Sequence, residues 1–251
     1  TGDNTIVGNE AGKETTTTLT AFGAFAGHDH VDGYNNTLIG RYAGREITNG
    51  HSNTVLGHAS LQTATTAVTN TALGMHSMRL TTTGSDNVAV GHEALDKNTT
   101  GGNNTAVGKS ALIANTTASF NTAVGDKAMQ TNTTGTNNTA IGHQALNKNT
   151  TGGLNTGLGL NALYNNTTGT VNTAVGHSAL KANNTGGYNV AIGHESMLAN
   201  TTGITNTALG NNALRSNTTA SQNVGLGTNA LYANTTGANN TAVGHNALDA
   251  N

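Results

Sequence analysis

The sequence predicts an all-β fold, a parallel β-solenoid or β-roll of about fifteen 17-residue rungs, on three observations. First, a segment of the form Asn-Thr-Ala-Val-Gly-x-x-Ala-Leu-x-x-Asn-Thr-Thr-Gly-x-x recurs every 17 residues, its lead position falling at Leu19, Asn36, Asn53 and so on to Asn240. One further copy begins at Asn4, 15 residues before Leu19. A period kept this strictly, without insertions, makes each repeat one coil of a stack. Second, apolar residues hold their register in the repeat: position 4 is apolar in every copy, from Val7 and Phe22 to Val243, and position 9 is Leu or Met from Leu61 to Leu248. That register argues against disorder, although the low hydrophobicity and many Asn, Thr and Gly residues suggest it. Third, the apolar spacing does not follow 3.6 residues, and Gly, Thr and Asn are poor helix formers.

Taken in order, positions 1 to 5 of a rung read as a short strand in which positions 2 and 4 share a face. Position 2 is Thr, or Val at Val88, Val190 and Val224. Position 5 is Gly in every copy, from Gly8 to Gly244, which points to a positive φ or to an approach too close for a Cβ. Positions 7 to 10 read as a second strand. Positions 12 to 15, Asn-Thr-Thr-Gly, read as the closing turn, since Asn and Gly tolerate left-handed backbone.

Stacked rungs about 4.8 Å apart would form a rod roughly 70 Å long and bring the position 1 amides into a vertical hydrogen-bonded ladder. Two large apolar side chains per rung, at positions 4 and 9, leave inter-rung hydrogen bonding and packing to carry much of the stability. Small residues at position 3 (Ala72, Ala89, Ala106), Ala or Ser at position 8 and Gly at position 5 suggest that other chains come close. A side-by-side homotrimer is the simplest such assembly.

The ends of the repeat divide the chain into residues 1–52, atypical N-terminal rungs acting as a cap or junction, and 53–251, the regular solenoid. In the first part position 9 is Gly (Gly12, Gly27, Gly44), and Phe22, Phe25, Tyr34 and Tyr42 appear. Terminal repeats are commonly atypical. The last repeat stops part-way at Asn251, so the chain is expected to continue or to dock on a partner.

Composition removes several function classes. Charged residues are 9% of the 251, the formal net charge is −2 and Trp is absent, so neither nucleic acid nor an anionic membrane is an expected partner. No apolar run reaches the roughly 20 residues that span a bilayer. The absence of Cys excludes disulfides and thiolate-bound zinc, and leaves an extracellular location open.

The motif Asn-Thr-Ala-Val-Gly-His-x-Ala-Leu, at Asn172 to Leu180 and Asn240 to Leu248, with the Asn-Thr-Thr-Gly turn at Asn98 to Gly101 and Asn234 to Gly237, resembles the repeats of bacteriophage tail-fibre and related surface-fibre proteins. It is similar, more loosely, to the head repeats of trimeric autotransporter adhesins, which have a shorter period. The resemblance covers nearly the whole chain and implies a parallel β-roll, usually trimeric, that serves as a shaft or adhesive head. Such fibres often end in a self-cleaving intramolecular chaperone domain, and nothing here resembles one.

No catalytic, cofactor or metal site is expected. Six His, at 58, 92, 143, 177, 194 and 245, occupy position 6 beside the Gly turn and read as solvated turn residues. His28-Asp29-His30 would offer six imidazoles on a three-fold axis, an arrangement resembling iron sites in some phage fibre tips, but a lone tripeptide reads better as a polar loop. Glu93 and Glu195 share position 7 six rungs apart, on the order of 29 Å, too far for a carboxylate pair. Asn98, Asn115 and six further Asn-Thr-Thr segments are glycosylation acceptors in form, although turn preference explains the same residues.

The expected function is that of an extracellular structural or adhesive fibre segment, in a virion tail fibre or on a cell surface, with copies of itself and a surface glycan or protein receptor as partners. Variable positions carrying Phe120, Leu154, Tyr164, Val171, Tyr188 and Tyr232 are the candidate receptor contacts. The rival reading is ice binding through the Thr column at position 14, unbroken over eleven rungs from Thr66 to Thr236. Against it, ice-binding solenoids usually present two Thr columns on one strand face, whereas Thr99 and Thr100 are adjacent in a turn.

Overall fold

A computed structural model describes residues 4–13, 15 and 17–250. Fifteen short parallel strands stack in chain order as a solenoid of 17-residue turns, and among the described residues no helix occurs. The chain divides into two compact units, Thr1–Asp126 and Lys127–Asn251. The first carries β1 (Thr5–Val7), β2 (Leu19–Phe22), β3 (Asn36–Ile39), β4 (Thr54–Leu56), β5 (Thr71–Leu73), β6 (Val88–Val90), β7 (Thr105–Val107) and β8 (Thr122–Val124). The second carries β9 (Thr139–Ile141), β10 (Thr156–Leu158), β11 (Thr173–Val175), β12 (Val190–Ile192), β13 (Thr207–Leu209), β14 (Val224–Leu226) and β15 (Thr241–Val243). The register follows the repeat: Thr105 faces Thr122, Ala106 faces Ala123 and Val107 faces Val124.

The interior is filled differently from the sequence expectation. Position 4 does not point into the coil. Position 3 does: Ala72, Ala89, Ala106 and Ala123 are fully buried, while Leu56 and Leu209 at position 4 remain about half exposed. Only one large side chain per regular rung, the position 9 Leu or Met, enters the core, beside the position 3 and position 8 alanines. The coil is too thin for more. Small residues there are a condition of the narrow interior, not a surface for a neighbouring chain.

The segment from 7 to 10 is a run of turns instead of a second strand. Positions 7 and 9 both adopt left-handed backbone, as at Ser110 (φ 54) and Leu112 (φ 52), which curls the chain tightly around its own core. Its backbone still bonds to the next rung, Leu95 N donating to Ala111 O at 2.9 Å. At Gly108 both expected reasons for glycine hold: φ is +133°, and an added Cβ would lie 2.5 Å from Gly125 O.

Two amide ladders run inside the coil. In the position 1 ladder, Asn87 Nδ2 donates to Asn70 Oδ1 at 3.2 Å and to Gly101 O at 3.0 Å, and Asn70 Oδ1 also accepts Asn87 N at 3.0 Å. The second was not expected. Position 12 is buried rather than displayed on a turn, and Asn115 Nδ2 donates to Asn98 Oδ1 and to Ala118 O, at 2.9 and 3.0 Å. Both ladders meet at the position 15 carbonyl: Gly101 O accepts from Asn87 and from Asn98. The buried amides are thereby paired within and between rungs, which is what makes so polar an interior stable.

The N-terminal rungs exchange volumes. Where position 9 is Gly44, position 3 is the buried Leu38 and position 12 the buried Ile47. An added Cβ on Gly44 would lie 2.8 Å from both side chains. The missing position 9 side chain is replaced by larger residues opposite it, so the same narrow coil is filled from the other wall.

Candidate functional surfaces

The outward face of the sheet is exposed in both units. Alternation along each strand sends position 3 inward, so positions 2 and 4 both face solvent. In the second unit position 4 presents Ile141, Leu158, Ile192, Leu209 and Val243, which are 37–68% exposed, and position 2 presents a Thr column beside them that is broken by Val190 and Val224. The first unit repeats the pattern with Val7, Phe22, Ile39 and Leu56, all more than 36% exposed. One column rich in Thr and one apolar column, free of charge, form a two-column face on each unit. The strand alternation was legible in the sequence. Which face turned inward was not, because either fitted the pattern.

The paired threonines of the closing turn differ in role. At position 13 the hydroxyl donates to the next rung, Thr99 Oγ1 to Thr116 O at 3.0 Å and Thr150 Oγ1 to Thr167 O at 3.0 Å. At position 14 the column from Thr83 through Thr236 is exposed. The Asn of the same Asn-Thr-Thr segments is buried with its amide hydrogens engaged, as at Asn149 and Asn200, so these acceptor sequences present no Nδ2 to a glycosylating enzyme once folded.

A third surface runs along position 17, where every regular rung adopts φ near +60°. Asn suits that backbone, and Asn103, Asn137 and Asn239 occupy it. Leu154, Val171 and Tyr188 take the same conformation in three consecutive rungs, exposed by 61, 37 and 62%. Phe120 does so alone, 60% exposed. Bulky residues held at left-handed backbone with their side chains in solvent cost stability and gain none from packing. Tyr164 and Tyr232 behave otherwise: each is half-buried at position 10, with Lys148 and Arg215 respectively over its ring.

The histidines separate by environment. His28 and His30 do not converge. His28 is half-exposed and bonds Asp29 and Glu10, and the Asp29 hydrogen bond holds its pKa above the usual value. His30 lies in the position 12 slot, fully buried, and is not a loop residue: Asn36 Nδ2 donates to its Nε2 at 3.0 Å and its Nδ1 pairs with Thr15 Oγ1 at 3.0 Å. Burial pushes its pKa down. The position 6 residues are exposed at the corner, with His92 half-buried. Three of them, however, lie in close groups: His92 with His76 and Glu93, and the neighbouring His177 and His194 with Glu195. His76, at position 7, lies outside the position 6 column, which is why periodicity alone did not find the first group.

No protein-family model matches the chain, and a search of curated proteins finds no significant match. Among the described residues no helix is long and apolar enough to cross a membrane.

Proposed function

We propose that the chain is a structural segment of an extracellular fibre, a shaft or adhesive head of the tail-fibre or surface-adhesin kind, assembled side by side as a homotrimer. The observation that supports this is the outward sheet face. An apolar column repeated on rung after rung is far more than the scattered exposed residues of a monomer and marks an association surface. The occupant that fits it is a second copy of the same chain. Only another solenoid with the same rung spacing can meet every apolar residue in register, and an uncharged face opposes no like charge to its copy. The position 17 column, with Leu154, Val171 and Tyr188 at strained backbone, is then the surface displayed to a receptor.

The test is the native mass of the untagged chain, by mass spectrometry and sedimentation. Three chains are expected, falling to one in Leu158→Lys/Leu209→Lys with the circular dichroism spectrum unchanged. A monomer at every concentration tested sinks the reading.

Ice binding remains the second reading, and one observation favours it: the outward face places a Thr column and a second regular column on the same strand surface, which the position 14 turn alone does not. Thermal hysteresis in solution, abolished by Thr139→Lys/Thr173→Lys, would move the assignment there.

A further inference from the structure

The dipeptide His-Glu stands at positions 6 and 7 twice, as His92-Glu93 in the first unit and His194-Glu195 in the second. Each time the preceding rung supplies another histidine at the same corner, His76 or His177. In each group the ligand atoms of the three residues all lie within 4.8 Å of one another. The rings of His177 and His194 stack across the rung gap, with centroids 5.1 Å apart and planes 13° from parallel, while those of His76 and His92 lie 6.3 Å apart and tilted by 36°.

We propose that each of these corners binds a divalent transition-metal ion, Zn²⁺ being the reference ion, through two imidazoles and one carboxylate. The donor set is that of zinc, nickel and copper sites with positions left open to water, and lacks the many oxygens that calcium or magnesium requires. Ligands on a tetrahedral ion at 2.0–2.1 Å stand roughly 3.3–3.5 Å apart, so no pair in either group need close by more than about 1.5 Å. The side chains are half-buried or exposed and have room to turn.

The neighbouring residues orient the ligands. Asn211 Oδ1 lies 3.2 Å from His194 Nδ1; with Nδ1–H as donor, Nε2 keeps its lone pair for the ion. Arg215 Nε donates to Glu195 Oε2 at 2.8 Å and leaves Oε1 for the metal. Partners of this kind fix the tautomer and direction of metal ligands. In the first corner, burial first and the Arg79 guanidinium second lower the pKa of His76. The guanidinium itself is engaged by both carboxylate oxygens of Asp96. An ion at either corner would bridge two consecutive rungs through side chains, beside the backbone bonds from Glu93 N to Met75 O and from Glu195 N to His177 O. This inference stands apart from the fibre reading and does not depend on the oligomeric state.

The test uses the full, untagged chain stripped with chelator, titrated with Zn²⁺ by calorimetry and with Co²⁺ by its visible absorption. Two ions per chain are expected, with a rise in melting temperature that grows with metal concentration. His92→Asn and His194→Asn should each leave one ion, and the double variant none, while its metal-free melting temperature matches that of the parent. His143→Asn, at a position 6 followed by Gln144, should leave two. A stoichiometry of one assigns the site to the corner whose variant abolishes it and overturns the other. Binding that persists in the double variant, or none by about 1 mM Zn²⁺, overturns both.

Discussion

Asn183 Nδ2 donates to Asn166 Oδ1, one rung before it, at 2.7 Å. The same nitrogen donates to Gly186 O at 2.9 Å, and Asn183 Oδ1 accepts from Asn200 Nδ2 at 2.8 Å. Every hydrogen-bonding direction of this buried amide that faces the ladder is used. Replacing it by Ala strands the Asn166 oxygen and the Asn200 nitrogen in a dry interior. Asn183→Ala should therefore lower stability by about 2–4 kcal/mol, read as the shift in urea midpoint, and Asn183→Asp should cost more because it buries a charge. An unchanged midpoint would remove the ladder from any account of stability.

Expression in a host that N-glycosylates secreted chains should lower the yield of folded protein. Sugar added before folding to Asn98 or Asn200 cannot be accommodated where those residues are fully buried. Substituting the exposed position 14 Thr, as in Thr100→Ala and Thr202→Ala, destroys the acceptor sequence without touching the ladder. Such variants should recover yield, and mass spectrometry of the folded fraction should show those asparagines bare.

Adjacent threonines should respond differently to the same change. Thr150→Val loses the hydroxyl donated to Thr167 O and should cost about 1 kcal/mol. Thr151 is exposed, so Thr151→Val should stay within about 0.5 kcal/mol of the parent. Equal effects in chemical denaturation would contradict the division of roles.

Acid should open the N-terminal rungs first. His30 has its pKa lowered by burial, so the unfolded state binds the proton more readily than the folded one. Stability from this group is intact above the ordinary histidine value of about 6.5 and is lost as pH falls below it toward the folded value. Hydrogen-exchange protection at Thr37 and its neighbours should fall between neutral pH and pH 5, and His30→Asn, which restores the common position 12 residue, should flatten that dependence.

The volume exchange at the third rung predicts a coupled pair. Leu38→Ala leaves a cavity and should cost about 2–4 kcal/mol. Gly44→Leu alone crowds Leu38 and Ile47, and its left-handed backbone is one that Leu61 and Leu95 already adopt at the same position. Combined, the two substitutions restore the regular position 3 and position 9 pair and relieve the crowding against Leu38, though not that against Ile47, so a double-mutant cycle should show favourable coupling of at least about 1 kcal/mol.

The repeat period by itself determined the solenoid, its parallel register and the position 1 ladder, because a 17-residue coil stacked without slippage must bring like residues together. Val107 beside Val124 follows from the period alone. The tertiary structure alone decided which way the residues point. Apolar residues at position 4 suggested burial, yet the left-handed turns at positions 7 and 9 draw the chain into a coil so narrow that Ala106 and Leu112 fill it and Val107 is left outside. Those turns have no sequence signature in residues such as Ser110 or Leu112, which rarely adopt them. The same narrowness took Asn98 and His30 from expected turns into the core, since a thin interior lined by backbone carbonyls needs side chains that donate hydrogen bonds. Grouping His76 with His92 and Glu93 likewise required the corner itself, where positions 6 and 7 of neighbouring rungs meet across a gap that periodicity does not measure.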